Sequence, residues 1–226
     1  MPLLCLATFT ANAALAQSAP PPAEVRLAFD TRGVTAVRVD GLADRATVRA
    51  VTADDPVRVA SITKLVVALG VMRMVEAGQL DLDRDVSEVL GWKVRNPAFP
   101  TVPVTLRQLL THQSGLIDPD DYRVPLGERL ADRIAQPALW DREHRPGTWF
   151  RYTNLNFPVV ASVMERASGE RFDRLMRRLV LQPLGLQACF NWSGCDAATI
   201  ARGVVLYDAA GKPQKDDLHG NAPECP

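Results

Sequence analysis

Three features of the 226-residue sequence predict an α+β fold. Alternating apolar residues are confined to an early stretch, residues 26–51. Residues 62–181 instead carry a succession of helix-period apolar segments broken by Gly, Pro and Asn. The composition, 47% hydrophobic and 23% charged, is that of a chain able to bury a core. Strands followed by a run of helices belong to the α+β class, and disordered chains lack this apolar content.

Taken in order, residues 1–16 have the make-up of a secretory signal peptide. An apolar run, Leu3 to Phe9, leads into small residues at Ala11-Asn12-Ala13 and Ala14-Leu15-Ala16, with cleavage expected after Ala16. Residues 17–25, rich in Pro and Ala, form a linker, and the domain is assigned to residues 26–226. Val34, Ala36 and Val39 precede a turn at Asp40-Gly41, and Thr47 to Val51 is expected to return antiparallel as a hairpin. Ile62 to Ala77 is apolar nearly all round, which predicts a helix in the centre of the domain with Gly78 as its C-terminal cap. Shorter helices follow at Thr105–His112, capped by Thr105, and at Leu126–Ile134. Arg145-Pro146-Gly147 marks a turn. Asn154–Ala167 is expected to be a helix with Asn154 as its cap, and Pro158 falls in the first turn, where a missing N–H is tolerated. Another helix runs from Glu170 to Leu181, and Ala201–Tyr207 reads as a strand ahead of a turn at Asp208–Gly211.

Acidic and basic side chains balance at 26 each. Nucleic-acid binding, which depends on excess cations, is not expected, nor is a polybasic membrane surface. No apolar run after the leader reaches the ~18–20 residues that span a bilayer, so stable membrane insertion is not expected. Only four of the 26 basic residues are Lys, at 64, 93, 212 and 215. Lysine, unlike arginine, can lose its proton when desolvated, so each of the four is a candidate for chemistry.

After removal of the leader, Cys189, Cys195 and Cys225 remain. Cys189 and Cys195 bracket the turn-forming Phe-Asn-Trp-Ser-Gly and are expected to form a disulfide in an oxidising compartment, worth about 2 kcal/mol for so short a loop. His112, His144 and His219 lack the spacing that puts two ligands on one helix face, and there is no Cys-x-x-Cys. No metal site and no cofactor are therefore expected. Cys225 is left without a partner.

At the head of the apolar helix, Ser61 and Lys64 stand at i and i+3, one turn apart on one side. A desolvated Lys beside a hydroxyl can take its proton and create a nucleophile. A helix-capping Ser and a solvated Lys explain the same residues. Tyr152 and Asn154, at i and i+2 before another helix, face one way if the chain is extended. A phenol can relay a proton, and an amide can hold a substrate amide. A packed aromatic and a helix cap are the structural alternative. Ser114 near His112 reads as a helix terminus, and Asp118, Asp120 and Asp121 as a solvated loop, with a calcium site the lesser alternative. Trp140, Trp149 and Trp192 are expected in the core or a cleft wall.

Ser61-Ile-Thr-Lys64, Val104-Thr-Leu-Arg-Gln-Leu-Leu-Thr-His-Gln-Ser-Gly-Leu116 and Tyr152-Thr-Asn154 occur in an order that resembles the serine β-lactamase and penicillin-binding-protein superfamily. The Tyr-x-Asn form is similar to its class C β-lactamase, esterase and D-alanyl-D-alanine peptidase branch. The resemblance covers roughly residues 28–190. It implies an antiparallel sheet flanked by helices beside an all-helical region. It also implies an acyl-enzyme mechanism in which Ser61 is the nucleophile, Lys64 and Tyr152 handle its proton, and Asn154 holds the substrate. The substrate would be an ester, a β-lactam or a D-amino-acid peptide, either a small molecule or peptidoglycan-like, and the secretory leader predicts that it is met in the periplasm or outside the cell. The family's third motif, Lys/His-Thr/Ser-Gly, has no counterpart here. His219-Gly220 lacks the middle residue. With Cys225 unpaired and the sheet unfinished, the sequence reads as a longer enzyme cut before its C-terminal strands. The competing expectation is a non-catalytic relic or binding protein. Nothing in the sequence sets the oligomeric state.

Overall fold

The computed structural model describes residues 23–125 and 127–214. The expected signal peptide, His219 and Cys225 lie outside the described residues.

β1 (Glu24–Asp30) and β2 (Gly33–Asp40) form an antiparallel hairpin, with Glu24 opposite Asp40 and Ala28 opposite Ala36. The strand therefore begins inside the stretch that composition assigns to the linker. The pairing expected from the sequence, 34–39 with 47–51, does not form. The Thr31-Arg32 connection closes the chain immediately. The Arg32 N–H donates to Asp30 Oδ1 at 2.8 Å and Gly33 adopts φ +137°, so β2 folds back on β1 before residue 47 is reached. Arg49–Ala50 (β4) does return antiparallel, onto Leu42–Asp44 (β3) across the turn at residues 45–48. Leu206–Tyr207 (β5) pairs with Pro213–Gln214 (β6) around the expected Asp208–Gly211 turn. Upstream of β5, Ala197–Ala201 is a helical turn (α7), so the expected strand shrinks to its last two residues.

α1 (Thr63–Glu76) follows a short 3-10 turn, Ala60–Ile62, and ends at Gly78 with φ +70°. Only one face of α1 is buried: Val67, Gly70, Val71 and Met74. Ile62 and the α1 residues Leu65, Leu69 and Met72 are exposed, as are Val25, Leu27, Phe29 and Val37 of the hairpin. The all-round burial expected for this helix is therefore not found among the described residues, because α1 packs on one side only, against α5 and the 177–181 turn.

α2 (Val86–Leu90) is capped by Asp85, which also pairs with Arg95. α3 (Leu106–Leu110) starts from Thr105 in a capping box with Gln108. α4 spans Leu130–Ile134. α5 spans Asn156–Ser168 and ends on Gly169 at φ +69°. α6 (Phe172–Met176) runs into a wider π turn, Arg177–Leu181. Cys189 and Cys195 are joined, their Cα atoms 5.5 Å apart, closing a loop whose Phe190 packs edge to face with Phe172. Of the tryptophans, Trp140 is buried and donates to Ile134 O at 2.8 Å, whereas Trp149 is exposed and stacks on His144.

The core lies between α1, α2, α3, α5 and α6. Its fully buried members include Met74, Leu109, Leu155, Met164 and Met176. Leu155 has no exposed surface and sits one residue from Asn154. Leu155→Ala is expected to cost roughly 2–5 kcal/mol, a large share of the ~5–15 kcal/mol that holds a domain together. Urea unfolding of the variant beside wild type checks this, and a loss below about 1 kcal/mol would contradict the packing described.

Candidate active site

The chain approaches α1 through a strained elbow. Ala60 has φ +43°, a left-handed conformation that costs a residue with a Cβ about 1–2 kcal/mol. Ser61 follows in the 3-10 turn, exposed, ahead of the α-helical N-terminus rather than at it. One turn on, Lys64 is half-buried. Its Nζ donates to Ser61 Oγ at 2.9 Å and to Asn154 Oδ1 at 2.9 Å. Ser61 Oγ also lies 2.7 Å from the Tyr152 hydroxyl. The structure therefore brings all four sequence-predicted residues into one hydrogen-bonded group, Tyr152 and Asn154 reaching it from the extended segment before α5.

Asn154 is not the cap of α5. The helix starts two residues later, and the amide faces Lys64 instead. Lys64 Nζ also sits 5.0 Å from the centre of the Tyr152 ring and 5.3 Å from that of Phe157, where their π faces favour a cation.

The segment 151–155 is held by residues that sequence reasoning passed over. The Arg151 N–H donates to His112 O at 2.8 Å, and the Thr153 N–H donates to His112 Nδ1 at 3.1 Å. The buried Thr153 hydroxyl donates to Leu116 O at 2.8 Å. Asp118 accepts from the Asn154 N–H (2.7 Å), from Asn154 Nδ2 (2.9 Å) and from the Leu155 N–H (3.0 Å). His112 lies stacked on Tyr152, ring centres 4.5 Å apart, and has φ +57°. Ser114, buried, donates to Asn156 Oδ1 at 2.6 Å, which turns the Asn156 Nδ2 towards His112 Nδ1 at 3.2 Å.

The Thr-His-Gln-Ser-Gly stretch is thus a helix terminus, as expected, and also the floor of the site. The Asp loop divides. Asp120 and Asp121 are exposed, Asp121 pairing with Arg123, whereas Asp118 is drawn into the site. The available signal was its place two residues past the quoted Ser-Gly-Leu116 motif.

Within the site, the surroundings displace Tyr152 and His112 from their ordinary values. The Tyr152 phenol is held below its ordinary value by Lys64, chiefly through hydrogen bonding, and by the Ser61 hydroxyl. The His112 imidazole is also pushed down, by burial and then by the Lys64 charge. Its Nδ1 accepts from the Thr153 N–H, so the neutral ring carries its proton on Nε2. The unfolded chain, with His near 6.5, takes this proton before the folded one does. The His112 contribution to stability is therefore full above about pH 6.5 and is lost as pH falls from there towards the folded value. In thermal melts from pH 8 to pH 5, the gap between wild type and His112→Gln is expected to narrow below about pH 6.5. A gap that widens in acid would contradict this.

Among the described residues, no group of three or more His, Cys, Asp or Glu is placed to hold a metal ion, and no helix is long and apolar enough to cross a membrane.

Comparison with known proteins gives this geometry a context. Over 173 residues the chain is 36% identical to esterase EstB of Burkholderia gladioli, an alignment covering 67% of this chain and 42% of that protein. It is 30% identical over 149 residues to penicillin-binding protein 4 of Amycolatopsis lactamdurans, covering 65% of this chain and 39% of the relative. Among solved structures it superimposes on EstCE1, a hydrolase with promiscuous acyltransferase activity, with a TM-score of 0.66 at 27% identity, over 80% of this chain and 51% of that one. The chain thus spans about two fifths of the length of these curated relatives. The fold is α+β of the β-lactamase/transpeptidase type. The Beta-lactamase family pattern runs from residue 25 to residue 222, across the Ser61 elbow, the His112 floor and the Tyr152 segment, and the chain belongs to that family.

Proposed function

We propose that this chain carries the nucleophile centre of a serine hydrolase that forms an acyl-enzyme on Ser61 with ester, β-lactam or D-amino-acid peptide carbonyls. The observation that carries the reading is the unbroken Lys64–Ser61–Tyr152 hydrogen-bonded chain. Lys64 donates to Ser61 Oγ, which leaves the serine proton to be directed at the Tyr152 oxygen. The acceptor is the phenolate form of Tyr152, which a phenol held below its ordinary value reaches more readily. As Ser61 Oγ bonds to the carbonyl carbon, its proton passes to Tyr152. As the carbon–nitrogen or carbon–oxygen bond breaks, the same proton goes to the leaving group. Water then cleaves the acyl ester. Lys64 keeps its place through Asn154 Oδ1. The Asn154 amide nitrogen has two hydrogens, of which one serves Asp118 and the second suits a substrate carbonyl.

The relatives named as an esterase, a penicillin-binding protein and a hydrolase with acyltransferase activity favour acyl chemistry of this kind. Small esters and peptidoglycan-like D-peptides are the proposed substrates. The disulfide supports a periplasmic or secreted location, because such bonds persist where the surroundings are oxidising.

The test is to treat the intact protein with a fluorescent penicillin and, separately, a fluorophosphonate, and to map the adduct by mass spectrometry. It should fall on the peptide containing Ser61. No adduct with either reagent, or one on another residue, would sink the reading in favour of a non-catalytic binding protein. Turnover of nitrocefin against p-nitrophenyl acetate then separates β-lactam from ester preference.

A further inference from the structure

We infer that Asp118 is a positioning residue of this site: its carboxylate sets the orientation of the Asn154 amide and, through it, the place of Lys64 beside Ser61. The inference rests on the acyl-enzyme reading above and adds to it a residue from outside the Ser-x-x-Lys and Tyr-x-Asn motifs.

A carboxylate only accepts hydrogen bonds, whereas an amide side chain presents an acceptor on one arm and donors on the other. Asp118 takes Asn154 Nδ2 at 2.9 Å, so Oδ1 must point the opposite way, and there it receives Lys64 Nζ at 2.9 Å. The flipped amide would set its oxygen against the carboxylate and its NH2 against the Lys64 donor, two repulsions replacing two charge-assisted bonds. The carboxylate is anchored to the same segment from below. It also accepts the backbone N–H groups of Asn154 (2.7 Å) and Leu155 (3.0 Å), so the main chain and the side chain at 154 are held together. Asp118 itself is fixed by its neighbours. The Ile117 N–H donates to Leu139 O at 2.9 Å, Leu116 and Trp140 form a β-bridge, and the Thr153 hydroxyl closes on Leu116 O. These contacts anchor the 116–118 segment to the core around Leu139 and Trp140. Exposed Asp121 on the same loop differs: its carboxylate takes the Arg123 backbone and guanidinium two residues on, and not a distant segment, among the described residues.

The experiment is a double-mutant cycle in the intact protein, with p-nitrophenyl acetate as the probe and thermal melting recorded for every variant. Asp118→Asn keeps the shape but replaces with a donor one of the two acceptor oxygens that between them serve three N–H groups. It is expected to lower kcat on the order of 10–100-fold with KM changed by less than about threefold, because misplacing a reacting group by an ångström costs about that much. In an Asn154→Ala background the same substitution should change kcat by less than about threefold, since Asp118 would have nothing left to orient. Two results overturn the inference: an Asp118→Asn protein within about threefold of wild type, or an equal fold-loss in both backgrounds, which would mark a general structural role. If Asp118→Asn is not folded, Asp118→Glu, which keeps the charge but displaces it, runs through the same cycle under the same two criteria. Ser61→Ala is the control. If it turns over normally, the acyl-enzyme reading and this inference fall together. If it is inactive while the cycle shows no coupling, only the assignment of Asp118 fails.

Discussion

Ser61→Ala is expected to abolish covalent labelling by a fluorescent penicillin or a fluorophosphonate and to leave no saturable turnover of p-nitrophenyl acetate. The substitution removes the one atom shared by both hydrogen bonds of the Lys64–Ser61–Tyr152 chain. Ser61 is exposed and contributes nothing to the buried core, so the fold should be retained, with melting close to wild type. The distinguishing result is loss of labelling without loss of structure. Undiminished labelling in a folded Ser61→Ala protein would remove Ser61 as the nucleophile.

Tyr152→Phe is expected to have the next largest effect, a fall in kcat of about 10²–10⁴, the usual contribution of a positioned proton carrier. The ring that stacks on His112 is kept, so the loss isolates the hydroxyl. The pH dependence carries the sign. If the Tyr152 oxygen accepts the serine proton, the active form is the phenolate, and the wild-type rate must rise with pH and level off once the phenol has ionised. Because Lys64 and Ser61 hold that phenol below its ordinary value, the midpoint of the rise should fall below pH 10. The variant should lack this limb. A Tyr152→Phe protein with the same pH–rate profile as wild type would assign the proton to another group.

Much of the site can be read in sequence because its spacings are local. Ser61 and Lys64 are neighbours on any helix, and Tyr152 and Asn154 on any extended segment. What those spacings do not carry is the contact between them, 90 residues apart in the chain. His112 and Asp118 are harder still. Each is a polar residue in a Gly-containing turn, where polar residues are ordinarily solvated. Their roles come from bonds to Thr153 and Asn154, at separations of 41 and 36 residues. Strand pairing failed to read for a related reason. Period-two alternation identifies a strand but not its partner, and the short Thr31-Arg32 connection claims β2 before the later candidate arrives. In α1, apolar residues on both faces predict burial on both, while burial depends on what packs there. Among the described residues, that is one side only.

Local pattern is enough to show that this chain mixes early strands with a helical core, that Thr105 and Gly78 bound their helices, and that one serine and one amine share a helical turn. It takes the packed chain to show that Asn154 faces Lys64 rather than capping α5, that His112 backs Tyr152, and that one aspartate of three is drawn in from solvent. Local pattern follows from backbone geometry over a few bonds. Which polar groups become partners follows from where the packed core brings distant segments together, because a donor or acceptor withdrawn from water there must be satisfied by whichever group the fold places within reach.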